Sequence, residues 1–430
     1  MIPFTYKNNR LYCEETDLNT VAQEYGTPAY VYSKAGIVHN FQNIDQAFAS
    51  HPHLVCYALK ANANPVLLKM MAELGAGADV VSGGELALAL KAGFPAHRIV
   101  YASVGKTDAE IRYAIRSRVL AINIESREEL EVTAKIAAEM GEVAPIAIRI
   151  NPDIDIEGHP YLTTGKSANK FGIEMNEARD CYLWAAGQKS IKIAGVHCHV
   201  GSMIKKADPY EKMAETLAEF VMGLQSRGIH FEHVDIGGGL GVDYTRVLGE
   251  NESPWFMQPE DITAKVIPII KQTGCEILFE PGRSIIGPNG LLLSQVLFRK
   301  ETKGKKFLIV DAAMNDLVRP SLYGSYHRIA PVREGNGEEM TADVVGPICE
   351  SGDFLAKNRT FPKVGQGDLL AAFSAGAYGF VMSSQYNSRA RAAEIMVEGD
   401  KHVVIRKREV YNDLVALEED GLTCIDRLKK

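Results

Sequence analysis

Leu54-Val55-Cys56-Tyr57-Ala58-Leu59-Lys60, followed closely by Val66-Leu67-Leu68-Lys69-Met70-Met71-Ala72-Glu73-Leu74, is the stretch on which the fold turns. The first run is apolar for six residues in succession, the pattern of a strand buried on both faces. The second has helical spacing. The same alternation recurs, with strand-like runs at 54–59, 78–81, 99–102, 120–124, 146–151, 193–200, 233–236 and 276–280. Helical segments separate them, among them 85–92, closed by Gly93, and the acidic-then-apolar 127–140. About eight such units predict a closed (β/α)8 TIM-type barrel. An open doubly wound sheet is the alternative, and it requires a reversal of strand order.

After Gly287 the pattern changes. Short β-rich runs at 291–298, 306–311, 342–345, 368–373, 393–397 and 402–407 are divided by Gly, Pro, Asn and Asp, without long amphipathic helices between most of them. The first 30 or so residues also read as extended and join this part. The expected α/β architecture is a barrel over 33–284 and a mainly antiparallel β domain built from 1–32 and 285–430. The polar stretch 158–170, with His159, Thr163, Thr164 and Lys166, is expected to form a loop beside the barrel mouth.

A net charge of -7 gives no basic footprint, which excludes nucleic acid and anionic membrane as expected partners. No apolar run reaches the ~18 residues of a membrane span. Seven cysteines without paired spacing fit reduced thiols, and the start lacks a signal-peptide core, so the chain reads as cytoplasmic.

The unusual polar residues fall at or near the C-terminal ends of the strands, which converge on one mouth in a barrel. Lys60 follows the first strand, Arg149 lies in the fifth, and His197 and His199 lie in the sixth. Asp235-Ile236-Gly237-Gly238-Gly239-Leu240-Gly241 ends the seventh, and Glu280-Pro281-Gly282-Arg283 ends the eighth. A lysine buried at a strand end has a lowered pKa and becomes a nucleophilic amine. The triglycine suits either a tight turn or an anion cradle. Gly282 and Arg283 on the adjacent loop favour the cradle, at the place where barrels commonly bind phosphate. His197-Cys198-His199 suits metal or ring stacking. No carboxylate or thiol stands at obvious ligand spacing, so no metal is expected and His197 reads as a satisfied core histidine. An amine, a phosphate cradle, a stacking imidazole and a carboxylate at Glu280 together describe a pyridoxal phosphate site.

These motifs resemble the barrel-type pyridoxal phosphate decarboxylases, and within them the diaminopimelate decarboxylase family. The resemblance runs nearly end to end. It includes Tyr57–Asn62, Asp79-Val80-Val81-Ser82-Gly83-Gly84-Glu85, Arg149-Ile150-Asn151-Pro152, Lys170-Phe171-Gly172 and His197–Ser202. It continues through the triglycine, Glu280–Ser284, Met314–Pro320, Gly346–Asp353, Gly376–Gly379 and Tyr386–Arg389. The resemblance implies that Lys60 carries the Schiff base, His199 stacks on the ring and Glu280 pairs with its nitrogen. Ser202, Gly239, Pro281, Gly282, Arg283 and Tyr378 would hold the phosphate end. Arg283, Arg319, Tyr323, Glu350 and Tyr378 would bind the distal end of the substrate, and Cys349 would supply a proton. The family also implies a homodimer in which Cys349 and Glu350 enter the partner's site.

The implied substrate is meso-diaminopimelate. Its distal carboxylate suits the arginines and its distal ammonium suits Glu350. Related decarboxylases of other amino acids or of carboxylated polyamines remain alternatives, although those acting on basic amino acids typically place Asp after the cysteine. A non-catalytic pyridoxal phosphate carrier would need neither Arg319, Tyr323 nor Cys349-Glu350. Met203 stands where the family often has Gln, and Ala390 and Ala392 stand where it commonly has Pro.

Overall fold

The computed structural model describes residues 3–152, 170–245, 253–335 and 337–418. The expected polar loop at 158–170 therefore lies outside the described residues, apart from Lys170. The chain forms two compact units, one of Val38–Asp243 with Glu252–Ile285 and the other of Met1–Ile37, Tyr244–Asn251 and Ile286–Lys430.

In the first unit eight parallel strands close a ring: β1 (His53–Ala58), β2 (Gly77–Val80), β3 (Ile99–Tyr101), β4 (Ala121–Ile124), β5 (Ala144–Asn151), β6 (Ile191–His197), β7 (His233–Asp235) and β8 (Glu276–Phe279). Closure is carried by Leu278 of β8 beside Leu54 of β1, and by Ile122 of β4 beside Ile146 of β5. All eight runs read from the sequence are strands, and the open-sheet alternative is excluded by that closure. Helices Pro65–Glu73, Gly83–Ala92, Asp108–Ser117, Arg127–Met140, Met175–Ala186, Asp208–Gln225 and Pro259–Ile270 occupy the connections.

Two of the turns into helices share one device. Ser82 Oγ accepts from Glu85 N at 3.1 Å while Glu85 Oε2 accepts from Val81 N at 2.8 Å. Ser126 and Glu129 repeat the pair after β4, at 3.1 and 2.8 Å. Each satisfies amides that a helix start leaves orphaned, worth about 1 kcal/mol per cap.

Register and the two-residue period of a strand decide which side chains face inward. Leu54, Cys56, Val100, Ala121, Ala147 and Leu278, from strands on opposite sides of the ring, pack into one buried cluster, which is possible only inside it. The same parity turns Asp79, Asn123, Arg149, His197, His233 and Asp235 inward. All six are buried.

The second unit is a mixed sheet around the long strand Gly290–Thr302, which pairs antiparallel with Ala29–Ser33, Lys305–Val310 and Leu369–Ala372. Two neighbouring pairs are parallel: Lys305–Val310 with Glu339–Val345, and Ala29–Ser33 with Ala393–Glu398. Its core gathers Leu11, Leu18, Val31, Leu291, Leu293, Phe373 and Ile395. The N-terminal stretch departs from the extended reading. Its hairpin Phe4–Lys7 and Arg10–Cys13 is followed by the helix Leu18–Tyr25, started by Asp17 accepting from Asn19 N at 2.9 Å. Asp17 and Gly26 were the local start and stop signals. Among the described residues no helix is long and apolar enough to cross a membrane.

Candidate active site

Lys60 lies in the 3-10 turn Leu59–Ala61 directly after β1. Its Nζ donates to Asp79 Oδ2 at 2.6 Å, joining the end of β1 to the inward face of β2. The burial expected for this lysine is not found. Its side chain is 44% exposed, while Asp79 is fully buried. The turn carries Lys60 beyond the apolar strand, and its orientation comes from an ion pair rather than from desolvation. Burial and Glu280 push the Asp79 carboxyl up, and Lys60 pulls it back.

Glu280, buried at the end of β8, lies 3.4 Å from His197 Nε2 without making a hydrogen bond to it. His197 is therefore not the satisfied core histidine expected, since neither ring nitrogen has a hydrogen-bond partner among the described residues. Two carboxylates do reach it: ligating atoms of His197, Asp235 and Glu280 lie within 4.8 Å of one another, an approach that linear spacing hid. Burial alone would raise the Glu280 carboxyl. His197, Lys60 and the adjacent Asp235 outweigh it and hold the group below the usual carboxylate range. Asp235 moves the other way, pushed well above that range by burial and by Glu280.

His199 Nδ1 accepts a hydrogen bond from Gly238 N at 3.2 Å, which leaves any ring proton on Nε2. Burial and the nearby Arg149 and Lys60 hold its pKa well below the ordinary histidine value, so the ring is neutral. The triglycine passes too close to its neighbours for any side chain. A Cβ would stand 2.5 Å from His199 Nδ1 at Gly237, 2.1 Å from Glu280 O at Gly238 and 2.2 Å from Gly201 O at Gly239. Arg283 Nη2 donates to Ser202 Oγ at 3.3 Å, joining the loops after β6 and β8. Ala58 N donates to Pro281 O at 3.2 Å and pins the Glu280–Arg283 turn to β1. The barrel thus brings together Lys60, His199, Ser202, Gly239 and the Glu280–Arg283 turn.

Arg319, Tyr323, Cys349, Glu350 and Tyr378 lie in the other unit. Arg319 and Tyr323 begin and end the short helix Arg319–Tyr323. The buried Arg319 guanidinium stacks over Tyr244 at 4.9 Å and donates from Nη1 to His327 Nε2 at 3.0 Å. His327 Nδ1 in turn donates to Phe373 O at 2.9 Å, which fixes its tautomer. Asp353 shapes the loop before it by accepting from Ile348 N and Met314 N at 2.7 and 2.8 Å. Cys349, exposed, is held by its amide on Asn387 Oδ1 at 2.9 Å, and Glu350 is exposed beside it. Tyr378 adopts a left-handed backbone with φ 56°.

Residues 34–287 match the family model of the pyridoxal-dependent decarboxylase, pyridoxal binding domain. The chain is 47% identical over 410 residues to the diaminopimelate decarboxylase of Aquifex aeolicus, covering 95% of this chain and 96% of that protein. The chain belongs to the diaminopimelate decarboxylase family. The Vibrio cholerae relative of the same name is 43% identical, over 96% of this chain and 98% of its own length. The crystal structure of the Helicobacter pylori diaminopimelate decarboxylase complexed with L-lysine is 41% identical and superposes with a TM-score of 0.89, covering 94% of this chain and all of that one (100%).

The residues present fit the pyridoxal group of this family. Gly237 N and Gly238 N are taken by Asp235 Oδ1 and His199 Nδ1, which leaves the amide of Gly239 as the triglycine's contribution to a phosphate. Glu280 is a buried carboxyl held below the usual carboxylate range, and its Oε1 makes no hydrogen bond among the described residues, while His199 offers a neutral ring. Sequence reasoning missed roles for Asp79, Asp235 and His327. Asp79 stood inside a quoted motif, and the strand register could have placed Asp235 inward. His327 carried no signal in the sequence.

Proposed function

We propose that this chain is a pyridoxal phosphate-dependent carboxy-lyase. It removes one carboxylate from meso-2,6-diaminopimelate to give L-lysine and carbon dioxide, the last step of lysine biosynthesis. The observation that carries this reading is the 47% identity to a diaminopimelate decarboxylase over nearly the whole of both chains. The barrel over 33–284 is the cofactor domain, and 1–32 with 285–430 supplies the distal substrate contacts.

When bound, the cofactor supplies an electron sink for the bond to the departing carboxylate. Lys60 is the covalent anchor, aimed by Asp79 at 2.6 Å. His199 would stack on the ring as a neutral imidazole, and Glu280 would pair with the ring nitrogen as a carboxylate. Ser202, Gly239, Pro281, Gly282, Arg283 and Tyr378 hold the phosphate end. Arg283, Arg319, Tyr323 and Tyr378 take the distal carboxylate of the substrate, and Glu350 takes the distal ammonium. Gripping that end fixes which carboxylate is presented for reaction. Cys349 then delivers a proton to the carbon that lost it, a role open to an S–H donor.

The exposed Cys349 and Glu350 support a homodimer in which each chain completes its partner's site. With no membrane-crossing helix among the described residues, a cytoplasmic enzyme is the matching location. The test is turnover by purified protein supplied with pyridoxal phosphate, with meso-diaminopimelate beside ornithine, arginine and lysine. A charge-assisted hydrogen bond at the distal end is worth ~1.5–3 kcal/mol, so kcat/KM for diaminopimelate should lead by roughly 10- to 150-fold. Faster turnover of ornithine or lysine would reject the substrate assignment.

A further inference from the structure

The inside of the barrel is unusually polar beneath Lys60. Barrels of this kind are normally filled by branched apolar side chains. Here Asp79, Asn123, His197, His233 and Asp235 all face inward and are at most 1% exposed. Among the described residues each has at least one side-chain polar atom without a hydrogen bond, and Glu280, at the end of β8, adds its Oε1. A buried polar atom left without a partner is costly, so such a cluster needs a physical reason.

The spacing of the two carboxyl groups supplies it. Asp235, Glu280 and His197 each place one side-chain oxygen or nitrogen within 4.8 Å of the other two. Two carboxylates that close and that deeply buried oppose each other's ionisation. Their environments must separate them into one acid and one anion. The two ends of Asp235 differ. Oδ1 accepts from Gly237 N at 2.8 Å, whereas Oδ2 has no hydrogen-bond partner among the described residues. An oxygen already accepting from an amide is the poorer place for a proton, so Oδ2 is where an acid would carry it.

We propose that Asp235 is a positioning residue that acts as a neutral acid, keeping the single proton of the buried carboxyl pair on Oδ2 so that Glu280 alone is the anion facing the cofactor ring. This rests on the reading that Glu280 pairs with the ring nitrogen. The groups around the pair favour the same division. Lys60 and Cys56 face it from β1 and its following turn, Asp79 from β2, His197 from β6 and His233 from the start of β7. Lys60 and His197 act on Glu280 and stabilise its charge. Asp79 acts on Asp235 with a like charge and opposes its ionisation. Gly195 makes room for this arrangement, since a Cβ there would stand 2.2 Å from His233 Nε2.

The proposal separates a neutral acid from a second carboxylate. Asp235→Asn is always neutral, keeps an oxygen for Gly237 N and offers N–H donors in place of the acid proton. Asp235→Ala keeps neither. In the reconstituted holoenzyme, the Asn variant should bind pyridoxal phosphate within about twofold of wild type. The pH midpoint of its bound-cofactor absorbance should also stay unmoved. The Ala variant should lose about tenfold or more in cofactor affinity. An Asn variant that loses tenfold, or whose midpoint moves by a whole pH unit, would show that Asp235 works as an anion and overturn the proposal.

Infrared spectroscopy of the wild type supplies a measurement that depends on no variant's folding. At about pH 9 the C=O stretch of a protonated, buried carboxylic acid should remain, and should shift in heavy water. Its absence would also overturn the proposal. Failure of wild type to bind pyridoxal phosphate on Lys60 would instead reject the cofactor reading and leave the infrared result standing on its own.

Discussion

Gly238→Ala adds one methyl group to the cradle and nothing else. The backbone of Gly238 is not in the left-handed region, so alanine carries no conformational penalty there and the effect is purely steric. The new Cβ would stand 2.1 Å from Glu280 O and 2.9 Å from its carbonyl carbon. A carbon–oxygen contact needs about 3.3 Å, so the two strand ends must part by roughly 1.2 Å. Three hydrogen bonds resist that movement: Glu280 N to Gly237 O at 2.8 Å, Gly238 N to His199 Nδ1 at 3.2 Å and Tyr210 Oη to Gly238 O at 3.0 Å.

Losing one or two of these costs about 1 kcal/mol each, on top of about 1–3 kcal/mol for overpacking. The displaced groups include His199 and the Glu280 turn, so about 1–2 kcal/mol of the loss falls on the cofactor, roughly 5- to 30-fold in its Kd. Apoenzyme titrated with pyridoxal phosphate and followed by absorbance reads this directly, with circular dichroism to confirm folding. Gly223→Ala is the control. That glycine lies within the helix Asp208–Gln225, and apart from the helix's own backbone no described residue stands within 4 Å of an added Cβ. Its alanine variant should bind normally and gain about 0.5–1 kcal/mol of stability. If Gly238→Ala bound the cofactor as tightly as the Gly223→Ala control, the triglycine would not be the cradle.

Inactive Lys60→Ala and Cys349→Ala homodimers, mixed under conditions of proven subunit exchange, should recover roughly a quarter of wild-type activity, because about half the dimers are mixed and each has one intact site. No recovery would defeat the shared-site arrangement. His327→Leu removes the acceptor that holds Arg319, so KM for diaminopimelate should rise about fivefold with a smaller change in kcat, and His327→Gln should restore part of it. An unchanged KM in the Leu variant would remove His327 from that role. Asp316 is a separate, structural case: burial pushes its carboxyl up to about 7. The folded state then holds this proton more tightly than the unfolded one. The contribution is fully present below about pH 4 and is lost as pH rises through 7, at up to about 1.4 kcal/mol per pH unit. Asp316→Asn should therefore lose less melting temperature than wild type between pH 5 and pH 8, and equal losses would contradict the shift.

The eight barrel strands were legible because a parallel sheet buried on both faces demands continuous apolar runs, and runs such as 54–59 and 99–102 carry that pattern. The strand-end residues were legible for a related reason. Glycines or charged groups after such runs are anomalies of composition. Leu18–Tyr25 was lost because its eight residues lie between a hairpin and the strand Ala29–Ser33, so the surrounding β pattern obscured a short helix. The environment of Lys60 was misjudged because sequence shows which residue ends a strand but not how far the next turn lifts it. One 3-10 turn sufficed to expose it.

What the sequence hid most completely is pairing across strands. Asp79 follows Lys60 by 19 residues, and Asp235 precedes Glu280 by more than twice that distance. In the barrel each pair spans a single step between neighbouring strands, because β1 lies beside β2 and β7 beside β8. The register would have been enough to find the second pair. Asp235 stands opposite Leu278, and Glu280 is two residues further along with the same inward parity. A strand-end carboxylate in a parallel barrel is therefore best judged by what the adjacent strand places opposite it. By that measure Glu280 is one half of a buried acid pair, and its charge depends on Asp235 as much as on its own position.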